Sequence, residues 1–495
     1  MKYTSTRNKK ISVSGAQAIV QGLSQEGGLF VPMTFPQIGK VELKEFCTFD
    51  YTARAEYICA QFLPELKSML PEFCEKAYGR FDGDPAPLVK IDGGMYFLEL
   101  WHGPTHAFKD IALTLLPYLL TASKKVLGEK TETLILVATS GDTGKAALEG
   151  FKDVAGTRVV VFYPQEGVSD LQKLQMQTSE GKNVKVIAIK GNFDDAQSAV
   201  KEIFTDKEVD AELIKNKLRL SSANSINFGR LLPQIVYYFS AYADLVDGGQ
   251  IKADDKINFC VPTGNFGNIL AGYYAHKMGL PINKLICASN RNHVLTDFIR
   301  SGKYSLNREF YKTASPSMDI LISSNLERLL FELNGRDDKL TAERIASLKT
   351  GGGYSITDGE REELNRLFFG GYAEEEACMT AIEDAFDEYG YIIDPHTAIA
   401  SAVYAEYLAA TGDDTKTVIV STASPYKFVR DVLTAIGEDA VESEKKNLQI
   451  LEELTALPVP DSLTALFSAK KRHTDVIEKD GALNAVLQYV KQKRD

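Results

Sequence analysis

A chain of 495 residues is too long for one hydrophobic core, so two or three domains are expected. With 44% hydrophobic and 25% charged residues it is globular rather than disordered or fibrous, and a net charge of -11 argues against nucleic acid or an anionic membrane surface as partner. Six widely spaced cysteines without a C-x-x-C pair argue against a disulfide framework or a zinc site. Residues 1–15, basic at Lys9 and Lys10, lead into no stretch of signal-peptide type, and no window approaches the ~18–20 apolar residues of a membrane span. A soluble cytoplasmic protein is the expectation.

Residues 1–90 read as a mixed segment. Gly27-Gly28 opens Leu29-Phe30-Val31-Pro32, and helical patterning runs from about Lys44 to Glu72. Turns at Asp82-Gly83-Asp84-Pro85 and Asp92-Gly93-Gly94 mark a boundary. From there a strand is predicted over Met95–Leu100, a buried helix over Ile111–Leu120 despite Pro117, and a strand over Thr133–Ala138. A helix over Lys145–Phe151 follows, then strands over Arg158–Tyr163 and Val184–Ile189, trailed by helices from about Asp170 and Asp194. Ile257–Val261 is a strand before a helix over about Asn268–Met278, and Lys284–Ala288 and Thr417–Ser421 are further strands. Such alternation argues for a largely parallel sheet with helices on both faces. From about Glu438 the chain is charged (Glu442, Glu444, Lys445, Lys446, later Lys470-Lys471-Arg472), which reads as a solvated helical surface.

Chemistry concentrates at turns that follow strands. In Leu100–Asp110, Lys109 lies at the mouth of an apolar helix. A helix N-terminus and a low dielectric both favour the neutral amine, the nucleophile of Schiff-base chemistry; a lysine snorkelling to solvent is the plainer reading of that residue alone. His102 and His106 have i, i+4 spacing, but Gly103-Pro104 intervenes and there is no H-E-x-x-H, so no metal is expected. Ala138–Lys145 is a glycine turn able to hold an anion. It is not a P-loop, because Thr139 stands at the first glycine position and Ala146 replaces the magnesium-binding hydroxyl; a helix cap at Asp142 or Thr143 is the plain alternative. Val261–Asn268, with two glycines among small polar residues before a helix, suits a phosphate dianion. Two such turns suggest a ligand with more than one anionic group at the carboxyl ends of the strands. Ser421–Pro425 offers a hydroxyl at a strand end and Asn224–Arg230 an anion clamp, with ordinary turn hydrogen bonding as the alternative for each.

In order along the chain, "GLSQEGGLFVP" (Gly22–Pro32), "HGPTHAFKD", "ATSGDTGKAA", "NSINFGRLLPQIVYYF", "PTGNFGNILAGYYAHKMGLPI", "SPSMDI", "DPHTAIA" and "STASPYKF" resemble threonine synthase, a family of fold-type-II pyridoxal phosphate enzymes, as far as about residue 430. The resemblance implies an α/β, tryptophan-synthase-β-like fold of type II: two open, mostly parallel sheets with helices on both faces plus a small N-terminal domain. The expected division is 1–90 as N-terminal α+β domain, 91–130 with 246–495 as large cofactor-binding domain, and 131–245 as the smaller domain carrying substrate loops. It implies that Lys109 forms the Schiff base with pyridoxal 5'-phosphate, that Gly264, Asn265, Phe266, Gly267 and Asn268 hold the cofactor phosphate, and that the Thr422 hydroxyl meets the pyridine nitrogen. Ser140, Asp142 and Thr143 match the substrate-facing loop, and Asn224, Ser225 and Arg230 match residues that bind the phosphate of O-phospho-L-homoserine. The reaction implied converts that substrate and water to L-threonine and phosphate, in a monomer or homodimer. Ser424 and Tyr426 stand where many relatives read His and Ala, and Phe228 where many have Trp. Asp142 replaces the Asn of wider fold-type-II enzymes, as is usual in threonine synthases. The rival readings are another lyase of this fold type, such as a serine/threonine dehydratase or cysteine synthase, whose substrates lack a phosphate, and a catalytically silent ligand-binding homologue.

Overall fold

The order of strands in two sheets brings the glycine turns together, in a computed structural model that describes residues 1–166 and 168–491. β1 (Lys2–Ser5), β2 (Asn8–Ser14) and β3 (Phe30–Pro32) form a small antiparallel sheet in the order β2-β1-β3. β4 (Leu88–Asp92) and β5 (Met95–Glu99) begin a second sheet, and β6 (Glu132–Ala138), β7 (Thr157–Pro164), β8 (Val184–Ile189) and β9 (Leu218–Ser221) a third. β10 (Ile257–Pro262) and β11 (Ile282–Ser289) return to the second sheet, while β12 (Lys303–Ser305) and β13 (Gly353–Ser355) pair with each other. β14 (Phe368–Tyr372) and β15 (Thr417–Ser421) complete the second sheet as β14-β11-β10-β15-β5-β4, and β16 (Val476–Ile477) completes the third as β16-β8-β7-β6-β9.

Every residue of β10 and β15 is buried, as expected of parallel strands covered on both faces by helices. β10, β15 and β5 run parallel and adjacent, so the segments after Pro262, Ser421 and Glu99 emerge side by side at one edge. The only antiparallel member of this sheet is β4, joined to β5 through Asp92-Gly93-Gly94. That turn is therefore a hairpin within the six-stranded sheet.

Two expectations need correction. The single helix over Ile111–Leu120 is two, Lys109–Leu113 and Leu116–Val126, with Pro117 in the first turn of the second. Proline has no N–H to continue the first helix and is tolerated where the next begins. The charged tail is only partly a solvated surface: helix Glu444–Thr455 buries Leu448 and Leu451, and helix Ala482–Lys491 buries Val486 and Val490 among residues of the five-stranded sheet. Residues 476–491, grouped in the expected division with the cofactor-binding domain, thus lie against the five-stranded sheet.

The 20-residue helix Phe228–Asp247 is buried along almost its whole length. The N-terminal helices pack on it, with Arg54 Nη1 donating to Ser240 Oγ at 2.7 Å and pairing with Asp244 at 2.6 Å. Its first turn delivers Arg230 toward the carboxyl edge of the sheets.

Candidate active site

Lys109 opens helix Lys109–Leu113 and is 8% exposed. The loop before it is pinned to the end of β15: the Leu100 N–H donates to the Ser421 carbonyl at 3.0 Å and the Phe108 N–H to the Thr422 carbonyl at 2.8 Å. The Thr105 N–H and hydroxyl both donate to Asp110 at 2.7 Å, closing the turn on itself. The Lys109 amine donates to Asp142 Oδ2 and to Ser317 Oγ, each at 3.3 Å. Burial lowers its pKa below the ordinary lysine value; Asp142 opposes that shift, and the charges of Lys427 and Arg230 reinforce it.

Asp142 begins helix Asp142–Phe151, yet its side chain does not cap it. Thr139 Oγ1 does that work, accepting from the N–H groups of Gly141 at 3.0 Å and Gly144 at 2.9 Å. This frees the Asp142 carboxylate for the cleft, where Oδ1 meets Lys427 Nζ at 2.5 Å and accepts from Gln172 Nε2 at 2.8 Å. Burial alone would raise its pKa, but Lys427 and Lys109 overcome that and hold it far below the usual carboxylate range. Ser140 and Thr143 flank it on the same turn, both partly exposed. Lys427 was not among the expected site residues. It is fully buried and also donates to the Thr105 carbonyl at 3.0 Å, bracing the Lys109 loop.

The Gly264–Asn268 turn stands over the start of helix Gly267–Lys277. Phe266 takes a left-handed conformation at φ 61°, a strain that such sites tolerate when their surroundings fix it. The Asn265 carbonyl accepts from the Asn325 N–H at 3.1 Å and Nδ2 at 3.0 Å. A Cβ at Gly264 would lie 2.5 Å from the Ser317 carbonyl oxygen, so only glycine fits. Tyr237 and Tyr238 donate to Asn268 Oδ1 at 2.6 and 2.8 Å, whereas the buried Asn268 Nδ2 has no partner among the described residues. First-turn N–H groups and an orphaned amide at one helix end suit a phosphate group.

Thr422 is 6% exposed, and just beyond it the buried Ser424 hydroxyl has no partner among the described residues. Tyr426 turns away from the cleft: its hydroxyl donates to the Leu457 carbonyl, and burial pushes its pKa up to about 12. Phe228 is not a pocket residue, since its ring packs edge-on against Tyr3 with centroids 4.8 Å apart. On the Asn224–Arg230 segment, Arg230 Nη1 donates to the Ala223 carbonyl at 2.6 Å. The guanidinium is 4% exposed and pairs with no carboxylate among the described residues; burial lowers its pKa to about 10. Ser225 lies beside the phosphate-type turn, its Cβ 3.6 Å from where a Gly267 Cβ would be, and the Asn224 carbonyl accepts from the Asn227 N–H at 3.2 Å. His102 and His106 diverge, to Glu99 Oε2 and Ser462 Oγ, both at 2.6 Å.

A buried, amine-favouring lysine and a helix start suited to an anion, at the carboxyl edge of a fold-type-II pair of sheets, are the features of the pyridoxal-phosphate-dependent class. The description "Pyridoxal-phosphate dependent enzyme" matches residues 82–348, flanked by "Threonine synthase N terminus" over 2–78 and "Threonine synthase, C-terminal" over 397–490. Threonine synthase of Pseudomonas aeruginosa is 39% identical across 88% of this chain and 91% of its own. The pyridoxal-phosphate-bound threonine synthase of Brucella melitensis superposes with a TM-score of 0.88 at 36% identity, covering 99% of this chain and 98% of its own. Human threonine synthase-like 1 is 41% identical over 90% of this chain, which spans 61% of that relative's length. The chain belongs to the threonine synthase family.

Among the described residues no helix is long and apolar enough to cross a membrane.

Proposed function

We propose that this chain converts O-phospho-L-homoserine and water to L-threonine and phosphate. The observation that carries the reading is Arg230, a buried guanidinium without a carboxylate partner among the described residues, near enough for its charge to act on Lys109. An uncompensated buried cation is costly unless an anion arrives to pair with it. A substrate phosphate, which dehydratase and cysteine synthase substrates lack, is such an anion.

In this reading Lys109 would hold the cofactor, the Gly264–Asn268 turn with the N–H groups at the head of helix Gly267–Lys277 would hold its phosphate, and the Thr422 hydroxyl would serve its ring nitrogen. The orphaned Asn268 amide and Ser424 hydroxyl fit a polar group lodged there. Pyridoxal phosphate, when bound, supplies the electron sink for carbanion chemistry next to the substrate amine. The Lys109 amine would take and return protons at the substrate carbons, a role suited to its lowered pKa. Asp142, fixed by Lys427 and Gln172, keeps the amine in place. Arg230, Asn224 and Ser225 bind the substrate phosphate and offset charge on it as it leaves. Ser140 and Thr143 face the rest of the substrate.

The test is phosphate release from O-phosphohomoserine beside serine and O-acetylserine. Phosphate and threonine in equal amounts from the first, with neither rival substrate consumed comparably, is the expected result. Turnover of serine or O-acetylserine alone would move the chain to another lyase of this fold type. Failure to take up cofactor would mark it as a silent homologue.

A further inference from the structure

The segment that crosses the cleft at Pro316–Met318 contributes a hydroxyl that no role above uses. Ser317 Oγ lies 3.3 Å from the Lys109 amine, its only hydrogen-bond partner among the described residues. The same residue is gripped from behind. Its N–H donates to His396 Nε2 at 3.2 Å, and His396 Nδ1 meets Oδ1 of the fully buried Asp394 at 2.7 Å. Because Nε2 accepts, the ring proton sits on Nδ1 and is given to Asp394, so one tautomer is fixed. The turn is held on both flanks, by Asn290 Nδ2 donating to Ser315 Oγ at 2.9 Å and by Thr313 Oγ1 donating to Asp319 Oδ1 at 2.8 Å. Its carbonyl packs on Gly264, so Ser317 ties the lysine to the phosphate-type turn.

We propose that Ser317 is a catalytic residue that holds the Lys109 amine in both of its protonation states, with Asp394 and His396 as positioning residues behind it. The inference rests on the proposed reaction. An ionised carboxylate only accepts hydrogen bonds, so Asp142 serves the ammonium form well and the lone pair of the neutral amine not at all. A hydroxyl does both: it donates to the lone pair of the neutral amine and accepts from the ammonium. When a substrate C–H proton moves to Lys109 Nζ, the amine becomes an ammonium and Ser317 reverses from donor to acceptor by rotating its O–H. No proton passes through the serine, and none is left over.

The test compares the unchanged holoenzyme with Ser317→Ala and with Ser317→Thr, which keeps the hydroxyl. Two quantities are read: kcat and KM for phosphate release, and the rate at which each apoprotein attaches added pyridoxal phosphate to Lys109, followed by absorbance. Ser317→Ala is expected to lower kcat and the attachment rate about 10- to 100-fold with KM little changed, and Ser317→Thr to restore most of both. An alanine variant with undiminished rates would overturn the role of Ser317. So would equal losses in the alanine and threonine variants, because the segment would then act by packing alone. The attachment rate needs no substrate, so a chain that releases no phosphate would defeat the proposed reaction while the serine is still judged on attachment.

Discussion

The two ends of the cleft treat buried charge in opposite ways. At one end Asp142 lies between Lys109 and Lys427 and also receives Gln172, so every charge has a partner supplied by the chain itself. At the other, Arg230 is equally buried and has a single backbone carbonyl, and the Asn268 amide has nothing. The first end is balanced by the chain itself; the second, in the proposed reading, would be balanced by anions. The contrast separates what fixes the reacting amine from what recognises the molecule it reacts with.

Removing charges one at a time breaks the contrast in ordered steps. Lys109→Ala is expected to cut phosphate release at least ~1000-fold and abolish the cofactor's absorbance on the protein, while Asp142 keeps Lys427 and the chain stays folded. Asp142→Asn leaves two buried lysines facing each other and is expected to cost about 3–5 kcal/mol in urea unfolding. Adding Lys427→Met should return much of that loss, because the two residues are in contact and their effects do not add. Arg230→Ala should lower phosphate release ~100-fold, while the apoprotein loses no ion pair and only the bond to the Ala223 carbonyl. Unchanged turnover in that variant would end its role as phosphate clamp.

The smallest effect concerns His106, beside the paired end. Burial, helped by the charge of Lys427, lowers its pKa from 6.5 to about 3. Between those values the unfolded chain binds the proton and the folded one does not, so stability falls as pH drops from 6.5 toward 3. Urea midpoints of His106→Gln across that range should show a shallower slope than those of the unchanged chain.

Much of the scaffold was legible because a strand buried on both faces is a continuous apolar run, as β6, β7, β10 and β15 are. β14 was not, because Gly370-Gly371 reads as a turn. It is a strand because helices press on it: a Cβ at Gly371 would lie 2.5 Å from Val403. Lys109 and Asp142 meet directly, and the helix cap that was the plain alternative for Asp142 or Thr143 is supplied by Thr139. Ser317 and Lys427 reach Lys109 and its loop across 208 and 322 residues, and no local spacing announces such partners. Their segments were visible as family-like stretches, "SPSMDI" and "STASPYKF"; Lys427, with Thr422, was a retained residue supporting the cofactor, whereas Ser317 had no role.

β16 has a consequence for how the chain is made. It closes the open side of β8, with the Ala188 N–H donating to the Asp475 carbonyl and the Lys190 N–H to the Ile477 carbonyl, both at 2.9 Å. Lys190 and Glu478 are 288 residues apart. At ~5–20 residues per second on the ribosome, the apolar run Val184–Ile189 waits roughly 15–60 s for its neighbour. During that interval β8 is a bare edge of the kind that recruits foreign strands, so a chain halted before Val476 would carry its greatest risk of clumping at the far side of a sheet whose glycine turns are already made.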